Sequence, residues 1–188
     1  EDIQVMPKKG YTKLCENIIQ SCGDKLEVRL ECDFHKNRES FGNAFIIYTG
    51  MIDRFYDFSY GRLPYRSLRF ETEHVSGVQY VQPQMQINYP SSDVAHTRTV
   101  EIKHATQQDI DGSTIIREFP DDYTGSNEAY YPIPNKESKE IYERYSTLAD
   151  KEANTMFIGR LGTYRYYNMD QCIAMALSKV SHLINNEV

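Results

Sequence analysis

The apolar and polar positions of this 188-residue chain change rhythm several times, and each rhythm predicts a different element. Across residues 11–22, Leu14, Ile18, Ile19 and Cys22 recur at helical spacing, so the stretch reads as an amphipathic helix stopped by Gly23. Residues 26–32 alternate strictly, the pattern of a half-buried strand. Residues 33–43 are polar and read as loop. A short continuous apolar run at 44–48 ends in Thr49-Gly50, which predicts a fully buried parallel strand. Four more strands are expected at 67–73, 79–89, 98–104 and 113–119, and no helical pattern separates them, so their sheet should be antiparallel. Residues 121–135 form a loop rich in Pro, Gly and Tyr. Asn135 then caps a charged helix over about 136–151, with Ile141, Tyr145 and Leu148 inward. Residues 155–161 predict a further apolar strand. The last helix, 169–183, carries Met169, Cys172, Ile173, Ala176, Leu177, Val180 and Leu183 on one stripe, behind an Asn168/Gln171 capping box.

The ends of the chain therefore read as α/β pieces and the middle as an antiparallel sheet, an α/β (α+β) class overall. Composition refines this picture. A hydrophobic share of 40% and a charged share of 26% suit a globular protein, and a net charge of −6 argues against a general nucleic-acid surface. No run approaches the ~18–20 apolar residues that span a bilayer. The opening EDIQVMPKKG lacks both a signal-peptide pattern and an initiating Met, so the chain is expected to be a piece of a longer protein. Cys15, Cys22, Cys32 and Cys172 form no CxxC and read as free, partly buried thiols of a reducing, cytoplasmic protein, with no metal site.

Fifteen tyrosines and no tryptophan draw attention to rings with a hydroxyl at the tip. Arg66, Arg98, Arg160 and Arg165 stand near small or aromatic neighbours, and a guanidinium fork matches phosphate oxygens. With Tyr130-Tyr131-Pro132 and Tyr164, Tyr166 and Tyr167 they could form a diphosphate clamp; taken singly, each arginine reads equally as solvated or paired with one of the many acids. The helix start behind Asn168 is either a simple cap or an anion site. The five histidines do not cluster, and no Walker loop or GxGxxG is present.

Four segments carry a resemblance: Tyr48-Thr49-Gly50-Met51-Ile52-Asp53, Tyr65-Arg66-Ser67-Leu68-Arg69-Phe70-Glu71-Thr72-Glu73, Glu128-Ala129-Tyr130-Tyr131-Pro132, and Gly159-Arg160-Leu161 through Tyr166-Tyr167-Asn168-Met169-Asp170-Gln171. In this order they resemble the C-terminal half of UDP-galactopyranose mutases, over about residues 7–180. The resemblance implies a flavoprotein isomerase that interconverts UDP-galactopyranose and UDP-galactofuranose through a sugar–flavin N5 adduct, for galactofuranose-containing surface glycans. It implies FAD as cofactor, a UDP-galactose substrate, no nucleic acid or membrane partner, and leaves a homodimer open. Arg98 takes the place of the arginine beside flavin and diphosphate, the catalytic candidate. Arg66, Tyr131 and Tyr166 join it around the diphosphate. Thr49, Gly50, Gly159, Arg160, Tyr167, Asn168 and Met169 fall at flavin-contacting positions. The implied organisation is residues 1–65 in a Rossmann-like FAD-binding domain, 66–120 as an antiparallel substrate sheet, and 121–188 returning to the FAD-binding domain. Departures at Ile3, Met51, His96, Ile102 and Asn168 mark a divergent member, and a fragment of this extent is expected to be inactive by itself. Two other readings remain: the substrate domain of another amine-oxidase-like flavoprotein, and a non-catalytic nucleotide-sugar-binding remnant.

Overall fold

The computed structural model describes residues 5–186, so Ile3 lies outside it. In chain order the elements are α1 (Gly10–Cys22), α2 (Phe34–Asn37), β1 (Ile46–Tyr48), α3 (Ile52–Phe55), β2 (Tyr65–Val75), β3 (Gln86–Asn88), β4 (Arg98–Val100), α4 (Lys103–Thr106), β5 (Ser113–Asp122), β6 (Tyr131–Pro132), α5 (Lys136–Ala149), β7 (Thr155–Phe157), α6 (Gly159–Gly162) and α7 (Met169–Asn186). Helices and both parallel and antiparallel pairing are present, a mixed α/β architecture. The chain divides into two compact units, one of residues 1–31 and 68–121, the other of residues 32–67 and 122–188.

The first unit holds the strand order β3-β4-β5-β2, with β3–β4 and β4–β5 antiparallel. Its expected strand at 79–89 shrinks to β3. The reason is Glu101, fully buried, whose carboxylate accepts the amides of Val81 (2.8 Å) and Gln82 (2.9 Å). Those donors go to a side chain instead of a ladder, so no strand forms there. The strand expected at 98–104 likewise ends at Val100, and one helical turn, α4, follows until Gln107 takes a left-handed conformation (φ 49°). His104 Nε2 lies 3.3 Å from Glu101 Oε2, and its ring stacks on Tyr80 at 4.1 Å. α1 forms as expected, but Leu14, Ile18 and Ile19 all stand exposed.

Burial raises the Glu101 carboxyl, but the Ser113 hydroxyl and the two amides outweigh it and hold the group below the usual range of about 4.5. A lowered carboxylate stabilises the fold above its unfolded pKa and loses that contribution as pH falls through the folded value. Urea titrations between pH 3 and 7 should therefore show stability falling below about pH 4.5, with a shallower fall in Glu101→Gln. Glu101→Ala should cost about 1–3 kcal/mol for each amide left without an acceptor. A pH profile identical in Glu101→Gln and the parent chain would contradict this account.

The second unit is built on the parallel pair β1–β7, in register Ile46↔Thr155 and Tyr48↔Phe157. β6 pairs antiparallel with the opening of β2, Tyr65↔Pro132 and Arg66↔Tyr131. The core gathers Met51, Ile52, Leu63, Tyr65, Tyr145 and Tyr164. α5 is closed by a full capping box: the Asn135 side chain accepts from Ser138 N (2.8 Å), and Ser138 Oγ accepts from Asn135 N (2.9 Å). Several sequence expectations are corrected here. Residues 26–32 form no strand, and no described strand runs alongside them; Leu26, Val28 and Leu30 are exposed, as are Cys15, Cys22 and Cys32, where partly buried thiols were expected. Residues 34–41 coil into α2 and a 3-10 turn, with the Asp33 carboxylate capping at His35 N. The 44–48 run is not fully buried; Phe45 and Ile47 face outward, and Tyr48 is the buried residue. The strand expected at 155–161 ends at Phe157, since Gly159 takes φ +79° and turns the chain into α6. α7 presents Cys172, Met175, Ala176 and Leu183 partly covered, while Met169, Ile173, Leu177 and Ile184 of its apolar side remain open. Among the described residues no helix is long and apolar enough to cross a membrane.

Candidate functional site

The most organised polar arrangement lies in the second unit and centres on Arg160. Its Nε and Nη2 both donate to the Tyr167 carbonyl, at 3.1 and 2.5 Å, and Nη1 donates to the Tyr130 carbonyl at 2.9 Å. The guanidinium carbon sits 5.2 Å from the Tyr131 ring centroid and 4.7 Å from that of Tyr166. Those two rings stack on each other at 5.5 Å and 21°. Each partner is placed by its own element. Tyr131 rides on β6, directly opposite Arg66 on β2, and Tyr130 N donates to the Arg66 carbonyl. Tyr166 follows Tyr164, which takes φ 46° and shares its hydroxyl proton between the carbonyls of Pro64 (2.7 Å) and Ile133 (3.0 Å). Burial pushes the Tyr164 phenol up, so it stays a neutral donor there. The left-handed turn at Tyr164 throws Tyr166 outward, where it is 60% exposed.

Arg66 is paired with Asp122 at 2.9 Å, but the two side chains are 60% and 85% exposed. Such a pair is weak and readily exchanged for a ligand anion. The unit thus brings Arg66, Arg160, Tyr131 and Tyr166 together, and guanidinium with phenol hydroxyls is donor chemistry suited to phosphate oxygens.

A cavity of about 410 Å³ adjoins this cluster, lined by Thr49, Gly159 and Arg160 with Ile158, Leu161, Cys172, Ile173 and Ala176. Its wall is largely aliphatic. Gly50 lies just past the end of β1, where a Cβ would meet Tyr48 Oη at 2.6 Å, so any side chain there would have to displace the buried Tyr48 ring. Burial pushes that Tyr48 phenol up to about 12, and its hydroxyl donates to the Met51 carbonyl. Of the other residues singled out, Tyr167 contributes its carbonyl to Arg160 and its hydroxyl to Arg165 Nη1 (3.4 Å). Asn168 N donates to Gln171 Oε1 at 2.8 Å, the returning half of a capping box, and Met169 opens α7 with its side chain exposed. Tyr167, Asn168 and Met169 do not line the cavity.

Arg98 belongs to the first unit. It stands on β4 opposite Glu118, with Nε 3.3 Å from Glu118 Oε1 but out of line for a hydrogen bond. Its neighbour His96 packs edge-on against Tyr89 at 4.6 Å. A second cavity of the second unit, about 420 Å³, is walled by Pro132, Tyr142, Tyr164 and Tyr166 with Lys139 and Arg165 at hand. Sequence reading did not single out Lys139 and Tyr142; their i, i+3 spacing on α5 was the available signal.

Fold and site together define a mixed α/β protein that carries an arginine–tyrosine cluster beside an aliphatic cavity. Residues 1–166 match the UDP-galactopyranose mutase family, and the chain belongs to it. It is 37% identical over 185 residues to a probable UDP-galactopyranose mutase of Klebsiella pneumoniae, covering 97% of this chain and 47% of the relative. It is 33% identical over 189 residues to the dTDP-fucopyranose mutase of Escherichia coli, covering 97% and 49%. To the UDP-galactopyranose mutase of Mycoplasma pneumoniae it is 32% identical over 197 residues, covering 97% and 48%. The chain spans about half the length of the curated relatives it matches.

Proposed function

We propose that this chain supplies the substrate-gripping half of a flavin-dependent isomerase that interconverts UDP-galactopyranose and UDP-galactofuranose. The observation that carries the reading is the Tyr131–Tyr166 stack beside Arg160, in a chain of this family. Arg66, Tyr131 and Tyr166 would hold the diphosphate of the nucleotide sugar while it is detached from the sugar; the role of Arg98, in the other unit, as the cation for the developing charge rests on the family resemblance alone. That task is one of positioning and electrostatics, since the diphosphate must stay near enough to return.

The residues fit a flavin: the 410 Å³ cavity offers a largely aliphatic wall for a planar tricyclic ring to lie against, with Thr49, Gly159 and Arg160 at its polar edge. Gly50, Tyr167, Asn168 and Met169 would complete the contact from the β1 end and the α7 start. FAD, when bound in its reduced form, supplies the nucleophile for the anomeric carbon, so the reaction involves no net redox change. On this reading residues 1–65 and 121–188 contribute to a Rossmann-like FAD-binding domain and 66–120 form the substrate sheet.

The test is turnover by the protein of the complete reading frame, reduced with dithionite and given UDP-galactofuranose; UDP-galactopyranose is the expected product. The 188-residue chain by itself is expected to retain no FAD and to give no product, and turnover by it would overturn the division of labour. The Escherichia coli relative, 33% identical, favours a second arm with dTDP-fucofuranose. Conversion of that sugar alone would keep the reaction class and change the substrate.

A further inference from the structure

We propose that Arg160 is the positioning residue of the tyrosine pair: its guanidinium clamps two turns together and so sets the stack of Tyr131 on Tyr166. The diphosphate part of this inference rests on the function proposed above; the geometric part does not.

Three of the five N–H groups of Arg160 are directed at main-chain carbonyls, of Tyr130 on one turn and of Tyr167 on the other. These carbonyls immediately flank the two stacked tyrosines in sequence. The same guanidinium lies within cation–π distance of both rings. Five contacts thus converge on one planar group, and each fixes either the backbone before Tyr131, the backbone after Tyr166, or one of the two rings. Their own elements place the two tyrosines but do not join one to the other. β6 is two residues long, and Tyr166 projects from a turn with its ring mostly in solvent. The rigid fork is what the arrangement needs. A lysine ammonium on a flexible stem reaches one carbonyl as a point charge and cannot span both turns in a fixed plane. A pair of phenol hydroxyls held in advance binds an anion without the entropy of ordering two rings and two turns.

The experiment uses the chain itself, labelled with ring-13C tyrosine, with the Tyr131 and Tyr166 signals assigned through Tyr131→Phe and Tyr166→Phe. In Arg160→Lys and Arg160→Gln these two signals should move toward exposed, unstacked positions, while those of core residues Tyr65 and Tyr145 stay in place. Arg144→Lys is the control: its guanidinium lies 4.0 Å over Tyr60 in the same unit, and its replacement should leave the pair unmoved. Calorimetry with UDP as probe should show about tenfold weaker binding in Arg160→Lys, the cost of ordering rings that are no longer pre-set. Unmoved Tyr131 and Tyr166 signals in Arg160→Lys would overturn the proposal. Loss of the Tyr65 and Tyr145 signals as well would also overturn it, because the arginine would then hold the whole unit. If the parent chain moves the pair on Arg160→Lys yet binds no UDP, the functional reading fails and the clamp stands.

Discussion

Replacing Tyr145 by alanine is expected to lower the stability of the second unit by about 3–5 kcal/mol, the cost of removing a fully buried aromatic ring. The side chain is fully buried on the inner face of α5. Its ring stacks on Tyr56 at 5.9 Å and meets Tyr60 at 5.3 Å, so alanine would leave a cavity beside two aromatic rings. The hydroxyl does separate work. It donates to the Gly61 carbonyl (2.8 Å) and accepts from Tyr60 N (2.9 Å), closing the turn between α3 and β2 from a helix more than eighty residues further on. Tyr145→Phe keeps the ring and strands both backbone groups, so it should cost about 1–3 kcal/mol. Urea unfolding followed by tyrosine fluorescence measures both. A loss below about 1 kcal/mol for alanine would show that the turn at 56–61 is held by other contacts, since burial alone predicts more.

Arg98→Ala, made in the protein of the complete reading frame, is expected to lower conversion of UDP-galactofuranose by about 100- to 1000-fold, the usual cost of deleting one donor aimed at developing charge. Arg98 lies on a three-residue strand with Glu118 opposite, and that carboxylate orients the guanidinium without consuming its Nε hydrogen bond. A fork already oriented by a neighbouring acid can turn its remaining N–H groups to a diphosphate. Arg98→Lys should recover less than a tenth of the lost rate, because an ammonium offers no bidentate contact. A rate within threefold of the parent in Arg98→Ala would remove Arg98 from the catalytic role and leave Arg66 as the principal cation for the diphosphate.

Where local chemistry decides, the chain was easy to read. α5 follows from Asn135 and Ser138, whose reciprocal cap is written within four residues, and from the inward spacing of Ile141 and Tyr145. The antiparallel character of β3, β4 and β5 followed from β-branched stretches with no helix between them. The failures share one cause. Residues 26–32 alternate as a strand should, but alternation states only which faces differ; a neighbouring strand must supply the ladder, and among the described elements none runs alongside. Residues 79–85 lost their strand to Glu101, a carboxylate nearly twenty positions away that takes the two amides a ladder would have used.

The candidate site divides the same way. Family membership was legible in the order of short motifs, among them those that hold Arg66, Tyr131, Arg160 and Tyr166, since each motif is a local string. The arrangement of these residues was not. Arg160 meets the Tyr130 carbonyl thirty residues back along the chain, and the turns that carry Tyr131 and Tyr166 are placed by the pairing of β6 with β2 and by the anchoring of Tyr164 to Pro64 and Ile133. No periodicity carries such information, because contacts between distant segments are set by which surfaces pack, and that free energy belongs to the folded unit as a whole. The sequence by itself determined which groups are present and which helices and caps they start; the tertiary structure decided that one guanidinium would hold two turns and two rings together.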